Sequence, residues 1–89
     1  MDANEQLIEY MDSKGITSRE FADLLTPKPD VTTVRAWRQG TRQPFKNGWD
    51  NQIGEITGGK PSSNDWQTLR LKKNAERAQE RYNQSLNQM

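Results

Sequence analysis

The sequence predicts an all-α fold of about five helices, the last of them long. Apolar residues recur at helical spacing in several segments, and capping residues or glycines mark where those segments begin and end. No stretch alternates β-branched and polar residues as a half-buried strand would. A chain of 89 residues is expected to form one domain with a small core.

The first helix is predicted over residues 4–14. Leu7, Ile8 and Met11 form an apolar stripe along it. Gly15 follows directly and suits the left-handed conformation that ends many helices.

The second helix begins with two local signals. Thr17 and Glu20 have the spacing of a capping box, and Ile16 and Phe21 have the spacing of a hydrophobic staple. A buried face is expected to continue through Phe21, Ala22, Leu24 and Leu25. The Thr-Pro-Lys-Pro sequence of residues 26–29 then predicts a turn, because each proline restricts the residue before it.

Three further helices are predicted after this turn. Asp30 is the expected N-cap of a helix over residues 31–39, which Gly40 closes. A helix over residues 48–57 carries three apolar residues at helical spacing: Trp49, Ile53 and Ile56. The last helix is predicted to begin near Ser63 and to extend at least to residue 80, because strong helix formers are plentiful there.

The composition argues against an enzyme. The chain contains neither cysteine nor histidine, so it lacks a thiolate nucleophile, the commonest general base and the commonest metal ligands. We expect no catalytic residue, metal, cofactor or small-molecule ligand. We also expect no membrane association, because no segment is apolar enough to span a bilayer and the N-terminus does not resemble a secretory signal.

Charge is distributed unevenly. Residues 1–34 carry seven acidic and three basic side chains, whereas residues 35–89 carry five acidic and ten basic ones. The balance changes sign at Arg35. Such asymmetry is typical of a protein that offers one face to a polyanion, and chance clustering on a solvated surface is the alternative.

The helix over residues 31–39 has the pattern of a DNA-reading helix. Val34 and Trp37 share one side and can anchor it to a core. The opposite side is small and polar and would fit a major groove about 12 Å wide. Arg35 can offer two donors to guanine, and Val31 or Thr32 can place a methyl group against thymine. The outward residues are Thr32, Arg35, Ala36 and Gln39, with Val31 at the edge. An amphipathic helix with an ordinary polar surface is the alternative.

Donor side chains flank this helix in the sequence. Ser18 and Arg19 lie at the start of the second helix, where backbone N–H groups also favour phosphate. A loop with four more donors follows the third helix: Thr41, Arg42, Gln43 and Lys46. Contacts of this kind position a protein on DNA without reading its sequence.

The stretches TSREFADLL and VTTVRAWRQGTRQP resemble the helix-turn-helix of lambda-repressor-like and Cro-like phage regulators. The family's alanine corresponds to Ala22, its bulky apolar residues to Val34 and Trp37, and its glycine and loop proline to Gly40 and Pro44. The following segment IGEITGGKPSSNDW is also similar, so the resemblance covers residues 5–66. The turn TPKPD is longer than the family's usual turn and lacks its glycine, which leaves the angle between the two helices open.

The resemblance implies a sequence-specific transcriptional regulator, Cro-like or repressor-like, from a phage or prophage. It would act in the bacterial cytoplasm, associated with the nucleoid, and bind double-stranded operator DNA. The short chain favours a Cro-like protein over one with a separate ligand or cleavage domain. The rival hypothesis is a protein-binding module derived from a helix-turn-helix, such as an antitoxin or phage inhibitor.

The resemblance also implies roles for individual residues. The implied base contacts are Val31, Thr32, Arg35 and Ala36, and the implied phosphate contacts are Ser18, Gln39, Arg42 and Gln43. For Arg38, which flanks the core side of its helix, we favour an ion pair with the acidic first helix over a DNA contact.

Residues 1–66 are expected to form the DNA-binding domain and residues 67–89 a basic helical tail. A thin heptad-like seam, broken by Ser85, consists of Leu71, Ala75, Ala78, Tyr82 and Met89. A basic stripe consists of Arg70, Lys73, Arg77 and Arg81. The tail could dimerise the protein, lie along phosphates or fray. We expect a homodimer in which the tail contributes contacts and the stripe assists DNA binding.

Overall fold

The computed structural model describes residues 1–87, with side chains through residue 83. Within this range the chain forms five α-helices and a short 3-10 helix, with no strand. The helices are α1 (Ala3–Lys14), α2 (Ser18–Ala22), α3 (Val31–Gln39), α4 (Trp49–Thr57) and α5 (Ser63–Asn87), and the 3-10 helix covers Lys46–Gly48. The predicted all-α fold is confirmed.

The predicted boundaries of α1 are close to those observed. The Asp2 N–H donates to Glu5 Oε1 over 3.2 Å at the start of the helix. Gly15 ends it in the left-handed region, at φ 65°. Leu7 and Met11 are fully buried, while Ile8 is half-buried at the side of the apolar stripe.

The helix α2 has its predicted start and an earlier end. The Thr17 N–H donates to Glu20 Oε1 over 3.1 Å, and the Glu20 N–H donates to Thr17 Oγ1 over 3.2 Å, which completes the capping box. The helix stops at Ala22. The expectation that Leu24 is buried is wrong: it is 52% exposed, because the chain has left the helix before this residue, whereas Leu25 remains in the core.

The turn between α2 and α3, residues 23–30, is fixed by α4. Gln52 uses both ends of its amide: its oxygen accepts from the Thr26 N–H (2.9 Å), and its nitrogen donates to the Thr26 carbonyl (2.7 Å). The Trp49 indole N–H donates to the Pro27 carbonyl over 2.7 Å. The long turn therefore takes its shape from a helix that follows it in the chain.

A single apolar core joins all five helices. The helix α3 packs on α1 and α2, and α5 packs on α1 and α4. The rings of Trp37 and Trp49 meet with centroids 5.5 Å apart and planes tilted by 57°. The buried apolar set is Ala3, Leu7, Met11, Phe21, Ala22, Leu25, Val34, Trp37, Trp49, Ile53, Trp66 and Leu69.

The helix α5 has a packed first part and a projecting second part. Asp50 accepts a 2.6 Å hydrogen bond from Ser63 Oγ and so ties α4 to the first residue of α5. Trp66 and Leu69 are buried, so the core extends beyond the expected domain boundary after residue 66. The side chains of residues 74–83 are all exposed. The projecting helix gives the molecule a length of 50 Å against a width of 24 Å.

We predict that Trp37→Ala lowers the free energy of unfolding by about 3–5 kcal/mol, because it leaves a cavity where α3 meets α4. Chemical denaturation followed by circular dichroism measures this loss. Gln39→Ala, at an exposed position of the same helix, is the matched control and should change stability by less than about 0.5 kcal/mol. Equal stability of the two variants would contradict the packing of Trp37.

Candidate nucleic-acid interface

The outward face of α3 consists of short and polar side chains around one arginine. Thr32, Arg35 and Gln39 are exposed, and Val31 and Ala36 are half-buried beside them. Val34 and Trp37, on the other side of the helix, are 0% and 1% exposed. The four candidate base-contacting residues therefore share one surface with Gln39, as the helical spacing predicts.

Ser18, the first residue of α2, lies beside one edge of α3 and is less exposed than a phosphate-contacting residue was expected to be. This residue is only 6% exposed, and its Oγ accepts a 2.9 Å hydrogen bond from Arg38 Nη1. The Ser18 hydroxyl accepts in this bond and still has its own proton to donate, so its phosphate contact stays a prediction. Arg19 is exposed beside it and remains the cation on this edge.

Arg38 binds within the protein through neutral groups. Among the described side chains its guanidinium forms no ion pair, so the expected pairing with acidic α1 is wrong. Its side chain instead bridges to α2 through Ser18, and its carbonyl accepts from Asn4 Nδ2 of α1 over 3.3 Å. Arg38 thus fixes the position of α3 against two other helices.

The other edge of α3 borders a cleft between the turn and the loop after the helix. We call it the α3 cleft; its lining residues are Lys28, Pro29, Asp30, Thr33, Trp37, Arg42, Gln43, Lys46 and Trp49. Three of these are cations and one is an acid. Arg42 and Lys46 were expected on this surface, whereas Lys28 was not. Lys28 Nζ also forms an exposed ion pair with Asp23 Oδ1, 2.6 Å away.

Two of the expected phosphate contacts in the loop are engaged within the chain. Thr41 is exposed, and its Oγ1 donates to the Ala36 carbonyl over 3.2 Å; its phosphate contact stays a prediction. Gln43 is half-buried, and Nε2 donates to the Gly40 carbonyl over 3.4 Å. A second N–H of the Gln43 amide remains for another acceptor.

A second basic cleft lies between this loop and α5. We call it the α5 cleft; its lining residues are Thr41, Arg42, Gln43, Phe45, Arg70, Lys73, Asn74 and Arg77. The Arg70 guanidinium carbon lies 5.5 Å from the centroid of the Phe45 ring, which is a cation–π contact. Three cations of the predicted basic stripe thus meet Arg42 from the loop.

Lys72 lies outside both clefts. It forms a 3.1 Å ion pair with Asp2, which joins α5 to the start of α1. The hydrogen bond that Lys72 Nζ donates to this carboxylate, and then the negative charge of Asp2, raise the pKa of Lys72. This lysine therefore serves the packing of α5 on α1 and is separate from the basic clefts.

No group of three or more acidic, histidine or cysteine side chains that could hold a metal ion occurs in the part of the chain that the structure describes. No described helix has the length and apolar character needed to cross a membrane.

Comparison with known proteins adds no assignment to this geometry. The chain matches no family model, no curated protein and no solved structure. What the protein binds must therefore be inferred from the chemistry of its own surface.

Proposed function

We propose that this protein is a sequence-specific regulator of transcription that inserts α3 into the major groove of double-stranded operator DNA. The observation that carries the proposal is the exposed face of Thr32, Arg35 and Gln39 on a helix with cations along both edges. Side chains on the helix can reach base edges, while the cations beside it can bind the two phosphate backbones of the groove.

The dimensions and rigidity of α3 support this mode of binding. Its nine residues span about 14 Å, and the major groove is about 12 Å wide. Burial of Val34 and Trp37 holds the helix from behind, and Arg38 holds it from the side. Arg35 can then donate to the two acceptors of a guanine without first ordering its own backbone.

The resemblance to lambda-repressor-like and Cro-like regulators supports the same proposal. It favours a phage or prophage protein that works in the bacterial cytoplasm, associated with the nucleoid. The lining of the α3 cleft by three cations is consistent with phosphate binding beside the reading helix.

We further propose that the protein binds DNA as a homodimer through α5. At about 100° per residue, the seam of Leu71, Ala75, Ala78 and Tyr82 lies across the helix axis from the buried Trp66 and Leu69. Leu71 is 68% exposed and Tyr82 is 60% exposed. The projecting part of α5, from residue 74 onward, is short enough to be marginally stable as an isolated helix in water. Packing against a second copy would therefore stabilise it. Met89, the last residue of the predicted seam, and Ser85, which interrupts it, lie outside the described side chains.

A second candidate function has one observation in its favour. The outer side of α1 forms a shallow, mainly apolar groove with an acidic rim, lined by Met1, Glu5, Ile8, Glu9, Asp12 and Ser13. Such a surface suits a protein partner with basic residues, as in an antitoxin-like or inhibitor module.

A gel-shift assay across a range of salt distinguishes the two functions. The probe is the DNA that flanks the coding region of this protein. The DNA-binding proposal requires affinity that falls steeply between about 50 and about 200 mM salt, because phosphate contacts release counterions. Absence of binding to any duplex at the lower salt would contradict it and favour the protein-binding module.

We predict that Arg35→Ala weakens specific DNA binding by about 1–3 kcal/mol and relaxes preference at one base pair, because a bidentate base contact is lost. Binding to a library of operator variants measures both effects. Lys60→Ala, which removes an exposed cation from the loop after α4, is the control. Unchanged affinity and preference in Arg35→Ala would mean that this face does not read bases.

We predict that Arg42→Ala weakens binding to operator and random DNA alike. The slope of log affinity against log salt should fall by about one, because one phosphate contact is lost. Titration of both DNAs at several salt concentrations measures this slope. A loss restricted to the operator would show instead that Arg42 reads a base.

We predict that the double substitution Leu71→Glu and Tyr82→Glu converts the dimer to a monomer, because it places charges in the seam. The matched control is Gln79→Glu with Asn83→Glu, which adds the same charges on an exposed side of α5. Light scattering measures the mass of each variant. A dimer that survives the seam substitutions would exclude this interface.

A further inference from the structure

We propose that the α5 cleft is a second phosphate-binding site, which holds the backbone of the same DNA duplex beyond the groove occupied by α3. The inference rests on the proposed function, because it takes DNA as the ligand. The site is a surface formed by α5 and the loop of residues 41–45. It is separate from the face of α3 that would read bases.

The cleft has a strong excess of positive charge. Four of its lining side chains are cations and none is a carboxylate. Lys73 Nζ lies 3.9 Å from Glu76 Oε2 in an ion pair whose two side chains are both exposed to solvent. Arg42, Arg70 and Arg77 form no ion pair among the described side chains. Such uncompensated cations favour a polyanionic ligand.

Arg70 is held in place before any ligand binds. Phe45 is half-buried against the core, and its ring supports the guanidinium at 5.5 Å. An arginine that stacks on an aromatic ring loses less side-chain entropy when it binds an anion, and its planar group can contact a phosphate with two donors. The aromatic contact therefore marks Arg70 as an oriented binding residue.

The two clefts form one continuous basic path. Arg42 and Gln43 line both of them, so the loop after α3 is their shared wall. Arg70 and Arg77 are separated by two turns of α5, about 10 Å along its axis. Phosphates of one strand follow each other every ~3.4 Å along the duplex axis, so this row of cations can follow about three of them.

The proposed dimer leaves this cleft open. The basic side chains of α5 lie beside the face that packs on the core, whereas the exposed seam lies across the helix axis from that face. One helix can therefore bind phosphate along one side and a second copy along another. The basic stripe and the apolar seam can therefore bind DNA and a second copy at the same time.

The test uses the full-length protein and a mixed-sequence duplex of about 20 base pairs, long enough to extend beyond one major-groove contact. We expect Arg70→Gln with Arg77→Gln to lower the slope of log affinity against log salt by about two, at about 0.9 per lost phosphate contact. The charge-preserving pair Arg70→Lys with Arg77→Lys should retain most of the slope. Lys14→Gln with Lys60→Gln removes two cations elsewhere on the surface and should retain all of it.

Two results would overturn the inference while leaving the proposed function intact. One is an affinity and a salt slope of the glutamine pair equal to those of the wild-type protein. The other is a changed base preference across a library of operator variants with an unchanged slope, which would show that α5 reads bases. Failure of the wild-type protein to bind any duplex at low salt would overturn the proposed function as well. Thermal melting of each variant confirms that the charge changes leave the fold intact.

Discussion

The contact between Trp37 and Trp49 is the constraint on which the rest of the structure depends. Trp37 is the largest side chain that α3 contributes to the core, and its ring meets Trp49 from α4 at 5.5 Å. Trp49 in turn holds the Pro27 carbonyl through its indole N–H. One pair of aromatic rings therefore links the candidate reading helix, the helix behind it and the turn before it. Displacement of α4 would move the turn and α3 together, so the position of the outward face of α3 depends on this contact.

Local signals account for what the sequence predicts correctly. The capping box of Thr17 and Glu20 and the left-handed Gly15 and Gly40 depend on neighbours within a few residues, so their spacing is sufficient to identify them. The errors involve distant segments. The chain leaves α2 before Leu24, and the turn that follows is held by Gln52, a residue of α4. Arg38 reaches Ser18 across the packed helices, although a charge pattern alone favours an acidic partner.

The same distinction applies to the candidate site. The outward face of α3 could be predicted because Val34 and Trp37 fix which side is buried, and a helix repeats its faces regularly. The two clefts could not be predicted in full, because each combines segments far apart in the chain. Lys28 joins Arg42 and Lys46 only once the turn is in place, and Arg70 meets Phe45 only once α5 packs on the body. The basic stripe of α5 was visible in the sequence, but its direction relative to α3 was not.

The rotation of α5 about its own axis decides which of its residues can serve which partner. Trp66 and Leu69 bury one face, while Lys72 pairs with Asp2 and Arg70 stacks on Phe45 to either side of it. These contacts fix the rotation near the base of the helix, and the regular helix transmits it to the exposed residues beyond Lys73. A shift of one residue would rotate every side chain by about 100° and turn the seam toward the basic side. Packing in the first three turns of α5 therefore decides that the basic stripe and the apolar seam lie on different sides of the projecting turns.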